Sequence, residues 1–272
     1  VQGVQQRHLM VQRALDEPYV AFRTTTELRE GGALFLSASM PVRDADMFLN
    51  PSARNPAVHV ASNRGASGID GVVSSALGYA QGLARPVTLL IGDGAALHDL
   101  GALRCLRDSE QPVCVIVVNN GGCGIFSFLP IAQHKDVFPA FFDNPHDVSF
   151  EGAASMFGLA FRRSTSTKEF DDHLREAQRS TSHFLIEAVT PQGGAYNVSV
   201  HRELGAQSAA AARQAVAASV PLSWSWEGDA RRPVALMLHG FLGCKEDWAP
   251  CVGAVCAAGW SCLTVDLPGH GG

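Results

Sequence analysis

The stretch from Val87 to Pro130 constrains the fold more than any other part of the chain. It contains two short, continuous apolar runs, Val87–Ile91 and Val113–Val118, with a helical pattern between them. Runs of this kind, bounded by turn residues, are typical of strands that are buried on both faces of a parallel sheet. In a strand–helix–strand unit both strands end at the same edge of the sheet, where ligands bind. The stretch therefore predicts an α/β fold with a doubly wound parallel sheet.

A carboxylate and an amide stand at the ends of these two strands. The first strand runs into GDG, centred on Asp93, and the second opens into NNGG, whose second asparagine is Asn120. We expect the two side chains to lie side by side at the sheet edge. Mg²⁺ takes oxygen ligands from one or two protein groups, from water and from substrate phosphates. Asp93, the Asn120 amide oxygen and the Gly122 carbonyl can supply three such oxygens, which predicts a magnesium-held diphosphate.

The glycines of both motifs support this interpretation. Gly92 and Gly94 flank the acid and have no Cβ, so the backbone there can approach a diphosphate closely. Each motif alone has an ordinary explanation, an aspartate in a tight turn or an Asn-Gly turn after a strand. Together, at consecutive strand ends separated by a helix, they are specific.

The GDG…NN pattern resembles that of the thiamine-diphosphate enzymes. Three segments, SASMPVRD (37–44), SNRGASGIDG (62–71) and NNGGCGIFSFLP (119–130), together resemble one branch of that family. This branch is the 2-succinyl-5-enolpyruvyl-6-hydroxy-3-cyclohexene-1-carboxylate synthases of menaquinone and phylloquinone synthesis, and the resemblance covers about Leu9 to Ala211. It implies thiamine diphosphate and Mg²⁺ as cofactors. It also implies a synthase that decarboxylates 2-oxoglutarate and adds the succinyl carbanion to isochorismate.

The resemblance also assigns roles to individual residues. Ser39, Arg43 and Arg64 would line the active site, and the two arginines would bind the substrate carboxylates. An arginine at the sheet edge suits this role because its guanidinium group can hold a carboxylate through two hydrogen bonds. Four apolar residues would support the cofactor and shape the dry walls of the site: Ile69, Ile125, Phe126 and Leu129. Without the resemblance, Ile69 reads as an ordinary core residue.

Composition excludes several other classes of protein. Hydrophobic residues make up 46% of the chain and charged residues 17%, which is typical of a globular domain with a sizeable core. The net charge of −5 offers no basic surface for nucleic acid. No apolar run approaches the roughly 18 residues of a membrane span. We expect a soluble intracellular protein, located in the plastid if the source is a phototrophic eukaryote and otherwise in the cytoplasm. The resemblance implies a homo-oligomer, a dimer or tetramer formed through the thiamine domains.

A second resemblance begins after a stretch without periodicity, 221–232. An apolar strand at Val234–Leu238 leads into HGFLG, and DLPGHGG follows a further predicted strand. This series resembles the opening of an α/β-hydrolase, more narrowly of the 2-succinyl-6-hydroxy-2,4-cyclohexadiene-1-carboxylate synthases. The resemblance implies that a backbone N–H near Phe241 contributes to an oxyanion hole. The serine elbow GxSxG is not in the chain, so this piece is not expected to work as a hydrolase.

These observations predict four segments. They are a lead-in helical segment (1–30), a thiamine diphosphate-binding domain (31–200), a terminal helix with a linker (201–232) and a truncated α/β-hydrolase start (233–272). The chain begins at Val1 and ends at Gly272 directly after a strand and a turn, so we expect a piece of a longer polypeptide. The family uses a glutamate from a separate amino-terminal domain to ionise its cofactor. We therefore expect the chain alone to be inactive or nearly so.

Three alternatives stay open from the sequence. The chain could belong to another thiamine-diphosphate enzyme of the acetolactate-synthase or decarboxylase type, although the arginine pair suits dicarboxylic acids better than pyruvate. It could be a non-catalytic assembly module, against which the retained Asp93 and Asn120 argue. It could also be an α/β-hydrolase with an upstream scaffold, against which the missing nucleophile argues.

Overall fold

A computed structural model describes residues 14–49, 59–65, 68–217, 222–239 and 244–267. The first thirteen residues of the predicted lead-in segment and the loop that contains Phe241 lie outside these ranges. The chain divides into two compact units, 1–209 and 210–272. Among the described residues, no helix is both long enough and apolar enough to cross a membrane.

The first unit is built on a six-stranded sheet in which every pair of neighbouring strands is parallel. The strands are β1 (Ala33–Leu36), β2 (His59–Ser62), β3 (Val87–Gly92), β4 (Val113–Asn119), β5 (Ala160–Ser164) and β6 (Phe184–Val189). Their order in the sheet is β2-β1-β3-β4-β6-β5. The chain therefore leaves the centre in both directions, which is the doubly wound arrangement that the sequence predicts.

Helices follow most of these strands. In this unit they are α1 (Glu17–Thr26), α2 (Met40–Phe48), α3 (Val72–Leu83), α4 (Asp93–His98), α5 (Leu103–Leu106), α6 (Glu151–Phe157) and α7 (Thr167–Arg179). Helix α8 (Gly194–Ala217) begins in this unit and ends beyond residue 209. Short 3₁₀ or π turns lie at Leu100–Ala102, Gly124–Phe128, Pro130–Gln133 and Pro139–Asp143. Two of these helices begin at an N-cap residue. The side chains of Asp16 and Ser166 accept hydrogen bonds from backbone N–H groups in the first turns of α1 and α7.

Apolar cores cover both faces of the sheet. On one face, alternate side chains of the strands, such as Leu90 and Ile116, pack with α1, α2, α7 and α8. On the other face, Leu89 and Val115 pack with α3 to α6. The central strands β3 and β4 are buried along almost their whole length. This double burial explains why their sequences are continuous apolar runs and do not alternate.

Two elements of the chain differ from the prediction. Strand β5 was not predicted, because its sequence AFRRS contains two consecutive arginines and lies at the edge of the sheet. The segment 221–232, predicted as a linker, contains strand β7 (Trp224–Glu227). Its sequence WSWE alternates over only four residues, too few to indicate a strand, and the strand forms because β9 (Ser261–Val265) offers it an antiparallel partner.

The second unit contains a three-stranded sheet of order β7-β9-β8. Strand β8 (Val234–Leu238) matches the prediction and is parallel to β9 (Ser261–Val265). Between them lie a 3₁₀ turn at Lys245–Trp248 and helix α9 (Ala249–Ala257).

Candidate functional site

A cavity of about 140 Å³ opens at the carboxyl ends of β1, β3 and β4. It is lined by residues of the GDG and NNGG motifs, the loop after β1, the first residue of α1 and the 3₁₀ turn after β4. Nine of the predicted site residues line it: Ser39, Ile69, Gly92, Asp93, Gly94, Asn120, Gly122, Ile125 and Phe126. The strand ends thus meet at one edge of the sheet, as parallel strands must.

Asp93 connects the two motifs directly. It is the first residue of α4, it is buried, and its Oδ1 accepts a hydrogen bond from the Gly94 N–H at 2.6 Å. Its Oδ2 accepts from the N–H groups of Gly121 at 2.8 Å and Gly122 at 3.1 Å. His146 Nε2 lies 3.3 Å from the same oxygen. Burial raises the pKa of Asp93, and the backbone hydrogen bonds together with His146 oppose that rise.

Both asparagines of the NNGG motif are held by buried glutamates. Asn119 Nδ2 donates to Glu187 Oε1 at 2.8 Å, and Asn120 Nδ2 donates to Glu17 Oε1 at 2.8 Å. Asn120 Oδ1 accepts from the Gly122 N–H at 3.2 Å. Burial, followed by the negative charge of Asp44, raises the pKa of Glu17 to about 8. Hydrogen bonds therefore hold both the nitrogen and the oxygen of the Asn120 side-chain amide.

The NNGG loop needs its glycines mainly for packing within the protein. Gly121 has φ +74°, a conformation that side chains disfavour. A Cβ on Gly122 would lie 2.5 Å from the Asp143 carbonyl oxygen, whereas a Cβ on Gly92 would meet no atom within 4 Å. The space beside Gly92 is thus the place where the backbone leaves room for a ligand.

The structure leaves three of the described candidates outside the lining of this cavity: Arg43, Arg64 and Leu129. Arg43 is exposed, and its Nη1 donates to the carbonyl oxygen of Ser39 one helical turn earlier. Arg64 is exposed just beyond β2, the edge strand, which β1 separates from β3. Leu129 is 48% exposed. Phe241 lies outside the described residues.

Two polar residues that contact the motifs were not predicted from the sequence, Glu17 and His146. In the sequence, Glu17 looks like an ordinary first-turn acid of a helix, next to Asp16 and Pro18. Its contact with Asn120 joins residues more than a hundred positions apart, and no local pattern signals such a contact. His146 lies in a loop after β4, where the sequence shows no periodicity.

The oxygen atoms that line the cavity suit a hard cation that also binds water and phosphate oxygens. The Asp93 carboxylate, the Asn120 amide oxygen and backbone carbonyls are oxygen ligands of the kind that Mg²⁺ prefers. Among the described residues, no group of three or more His, Cys, Asp and Glu side chains could hold a metal ion. Mg²⁺ typically takes one or two protein oxygens and completes its shell with water and phosphate oxygens, so these ligands fit a magnesium diphosphate.

Comparisons with known proteins agree with this chemistry. A family model described as "Thiamine pyrophosphate enzyme, C-terminal TPP binding domain" matches residues 49–188. The chain is 48% identical over 171 residues to the 2-succinyl-5-enolpyruvyl-6-hydroxy-3-cyclohexene-1-carboxylate synthase of Chlorobium limicola, covering 63% of this chain and 29% of the relative. It is 45% identical over 207 residues to the protein of the same name from Salinibacter ruber, covering 76% and 34%.

A solved structure supports the fold. The thiamine diphosphate-dependent 4-hydroxybenzoylformate decarboxylase of Rhodococcus jostii RHA1 superposes with a TM-score of 0.54 at 22% identity, covering 68% of this chain and 34% of the decarboxylase. The chain spans about a third of the length of the curated relatives it matches. The family description names thiamine pyrophosphate as the ligand of this domain, which confirms the predicted cofactor. The chain belongs to the thiamine pyrophosphate enzymes, and residues 49–188 match their C-terminal, cofactor-binding domain.

Proposed function

We propose that this chain is the cofactor-binding part of a 2-succinyl-5-enolpyruvyl-6-hydroxy-3-cyclohexene-1-carboxylate synthase. Such an enzyme decarboxylates 2-oxoglutarate and joins the remaining four carbons to isochorismate, on the route to menaquinone or phylloquinone. The names of the relatives support this proposal. The observation that carries it is the junction of Asp93 with the NNGG backbone inside one cavity.

The cavity assigns a task to each group of residues. Asp93, Asn120 Oδ1 and the Gly122 carbonyl oxygen would hold Mg²⁺, and the open space beside Gly92 and Gly94 would admit the diphosphate. Thiamine diphosphate, when bound, supplies the electron sink that decarboxylation of a 2-oxo acid needs. The protein supplies the oxygen ligands for Mg²⁺, whose positive charge would hold the diphosphate, and three apolar side chains that line the cavity: Ile69, Ile125 and Phe126.

Three of the proposed substrate-binding residues, Arg43, Arg64 and Leu129, lie outside the cavity lining. Arg43 and Arg64 would bind the carboxylates of 2-oxoglutarate and isochorismate, because a guanidinium group can form two parallel hydrogen bonds with a carboxylate. Ser39 links Arg43 to the cavity, since its carbonyl accepts from that arginine and the residue itself lines the cavity. Leu129 would contact the ring of the second substrate.

The remaining assignments rest on the family resemblance and on the sequence. We propose a homo-oligomer formed through the thiamine domains, an intracellular location, and the division into segments 1–30, 31–200, 201–232 and 233–272. The last segment is proposed as the start of an α/β-hydrolase, with Phe241 at its oxyanion hole.

Kinetics of the complete enzyme on pyruvate and on 2-oxoglutarate distinguish the proposed synthase from an acetolactate-synthase-like activity, for which pyruvate would be the better substrate.

The metal site is tested by replacing its carboxylate. In the Asp93→Ala chain, we expect magnesium-dependent binding of thiamine diphosphate, measured by calorimetry, to weaken at least about 100-fold. This estimate is a lower bound, since residues that only support a metal ligand already contribute about 10–100-fold. The fold should persist, because Asp93 lies directly after the carboxyl end of β3 and belongs to neither apolar core of the sheet.

The control is another aspartate that accepts backbone hydrogen bonds. Asp99 Oδ2 accepts from the Val73 N–H at 2.6 Å, and Asp99 is not among the residues that line the cavity. Asp99→Ala should therefore lower thermal stability without changing the affinity for the cofactor. Unchanged affinity in Asp93→Ala would contradict the assignment of the metal site.

The activity of the chain alone gives a separate test. We expect the purified 272-residue chain to form no product from 2-oxoglutarate and isochorismate in the presence of thiamine diphosphate and Mg²⁺. The chain spans about a third of its relatives, and two proposed substrate residues, Arg43 and Arg64, are exposed in it. Detection of product by mass spectrometry would show that the domain is sufficient.

A further inference from the structure

The two glutamates that hold the NNGG asparagines have different surroundings. Glu187 accepts from Asn119 and also from the Ser149 hydroxyl at 2.9 Å and the Phe150 N–H at 3.2 Å. It is thus occupied in anchoring the segment before α6, and it is not among the residues that line the cavity. Glu17 lines the cavity, and its Oε1 accepts from Asn120.

The contact with Glu17 decides which end of the Asn120 amide faces which neighbour. An amide has a nitrogen that only donates and an oxygen that only accepts. Glu17 Oε1 lies 2.8 Å from Asn120 Nδ2, so the nitrogen is taken by the glutamate. The oxygen is left on the side of Gly122, whose N–H it accepts at 3.2 Å. A cation needs the oxygen end, because the amide nitrogen carries no available lone pair.

We propose that Glu17 is a positioning residue for the metal site, which orients the Asn120 amide so that its oxygen, and not its nitrogen, is presented to the cation. This inference rests on the proposed function of Asp93 and Asn120. The helix holds Glu17 in position. Glu17 is buried in the first turn of α1, and Asp16 caps that turn by accepting a hydrogen bond from the Tyr19 N–H at 2.9 Å. The acceptor is therefore held by a helix.

The test compares two substitutions at Glu17. Glu17→Met keeps the length of the side chain and removes the acceptor, whereas Glu17→Gln keeps an acceptor oxygen for Asn120. In titrations of Mg²⁺ against the chain with thiamine diphosphate, followed by calorimetry, we expect Glu17→Met to weaken Mg²⁺ binding about 10–100-fold. Glu17→Gln should stay within about threefold of the unaltered chain, because the same hydrogen bond forms.

Asp16→Ala is the matched control at the same helix start. It removes the cap of α1 without removing the acceptor of Asn120. If a loosened helix alone caused the loss of Mg²⁺ affinity, Asp16→Ala would reproduce the effect of Glu17→Met. We expect it to lower thermal stability and leave Mg²⁺ affinity within about twofold.

A second measurement reads the hydrogen bond without metal. The side-chain amide protons of Asn120, identified by NMR through their absence in Asn120→Asp, should exchange slowly in the unaltered chain and at least about tenfold faster in Glu17→Met. Equal exchange in both chains would overturn the proposal.

The remaining outcomes separate this proposal from the one on which it rests. An equal loss of Mg²⁺ affinity in Glu17→Gln and Glu17→Met would also overturn it, since an acceptor oxygen at this position would then not be enough to orient the Asn120 amide. If the unaltered chain showed no magnesium-dependent binding of thiamine diphosphate, the proposed function would fail, and the exchange measurement alone would decide whether Glu17 orients Asn120.

Discussion

At the scale of single residues, strain is concentrated beside the cavity. Ser39 has φ 78° and ψ −139°, a backbone conformation that is nearly confined to glycine. The other described non-glycine residues with positive φ, Ala84 and Asn144, lie in the milder left-handed helical region. The loop before Ser39 is held in place because the Ala38 N–H donates to Asn63 Oδ1 at 3.0 Å. Strain that neighbours maintain in this way is typical of residues that bind ligands.

Replacing Ser39 by glycine should therefore stabilise the chain. Relief of the strained backbone is worth about 1–3 kcal/mol, and the extra flexibility of glycine in the unfolded chain costs about 0.5–1 kcal/mol. We expect a net increase of about 1 kcal/mol in the free energy of unfolding, measured by urea denaturation. Ser39→Ala keeps a Cβ and should show no gain. A Ser39→Gly chain no more stable than Ser39→Ala would show that this conformation is not strained.

At the scale of elements, polar contacts join the starts of neighbouring strands. His183 directly precedes β6, and its Nδ1 accepts from the N–H of Val113, the first residue of β4, at 3.2 Å. Its Nε2 lies 3.3 Å from the Ser109 carbonyl oxygen. This pair of contacts needs the neutral ring with its proton on Nε2. Burial accordingly lowers the pKa of His183.

The lowered pKa predicts a loss of stability in acid. In the unfolded chain His183 binds its proton near pH 6.5, whereas the folded chain must stay neutral to lower pH. The unfolded state thus binds more protons in this range, and the free energy of unfolding falls as pH falls below about 6.5. His183→Asn keeps an acceptor for Val113 and cannot titrate. We expect its urea stability between pH 7.5 and 5 to fall less than that of the unaltered chain.

The exposed His98 offers the control for this comparison. His98→Asn, measured in the same way, shows what a histidine-to-asparagine exchange does to stability at an exposed position. Parallel pH profiles for His183→Asn and the unaltered chain would contradict the assigned role of the Val113 contact.

At the scale of the whole molecule, the two units have very different cores. The first unit buries apolar side chains on both faces of its sheet. In the second, the described buried hydrophobic residues are few: Val252, Cys262 and Val265. Three side chains of β8 are exposed: Val234, Leu236 and Leu238. A small sheet with an uncovered apolar face contributes little stability of its own.

The second unit should therefore unfold at lower urea concentration than the first. All four tryptophans lie in 210–272, so tryptophan fluorescence reports only this unit. Circular dichroism at 222 nm is dominated by the helices of the first unit. We expect the fluorescence transition to precede the circular dichroism transition, and a chain ending at residue 209 to keep the second transition. Coincident transitions in the full chain would contradict this expectation.

The sequence by itself determined the central sheet unit and the meeting of the GDG and NNGG motifs, and the family resemblance added the cofactor class and further residues of the cavity lining. Continuous apolar runs and the residues at their ends are local properties, and parallel connection dictates that the ends meet. Tertiary structure alone decided strands β5 and β7, which form because a neighbouring strand offers hydrogen-bonding groups. It also decided the pairing of Glu17 with Asn120 and of His146 with Asp93. Such contacts join distant parts of the chain through burial and polar pairing, which leave no periodic trace in the sequence.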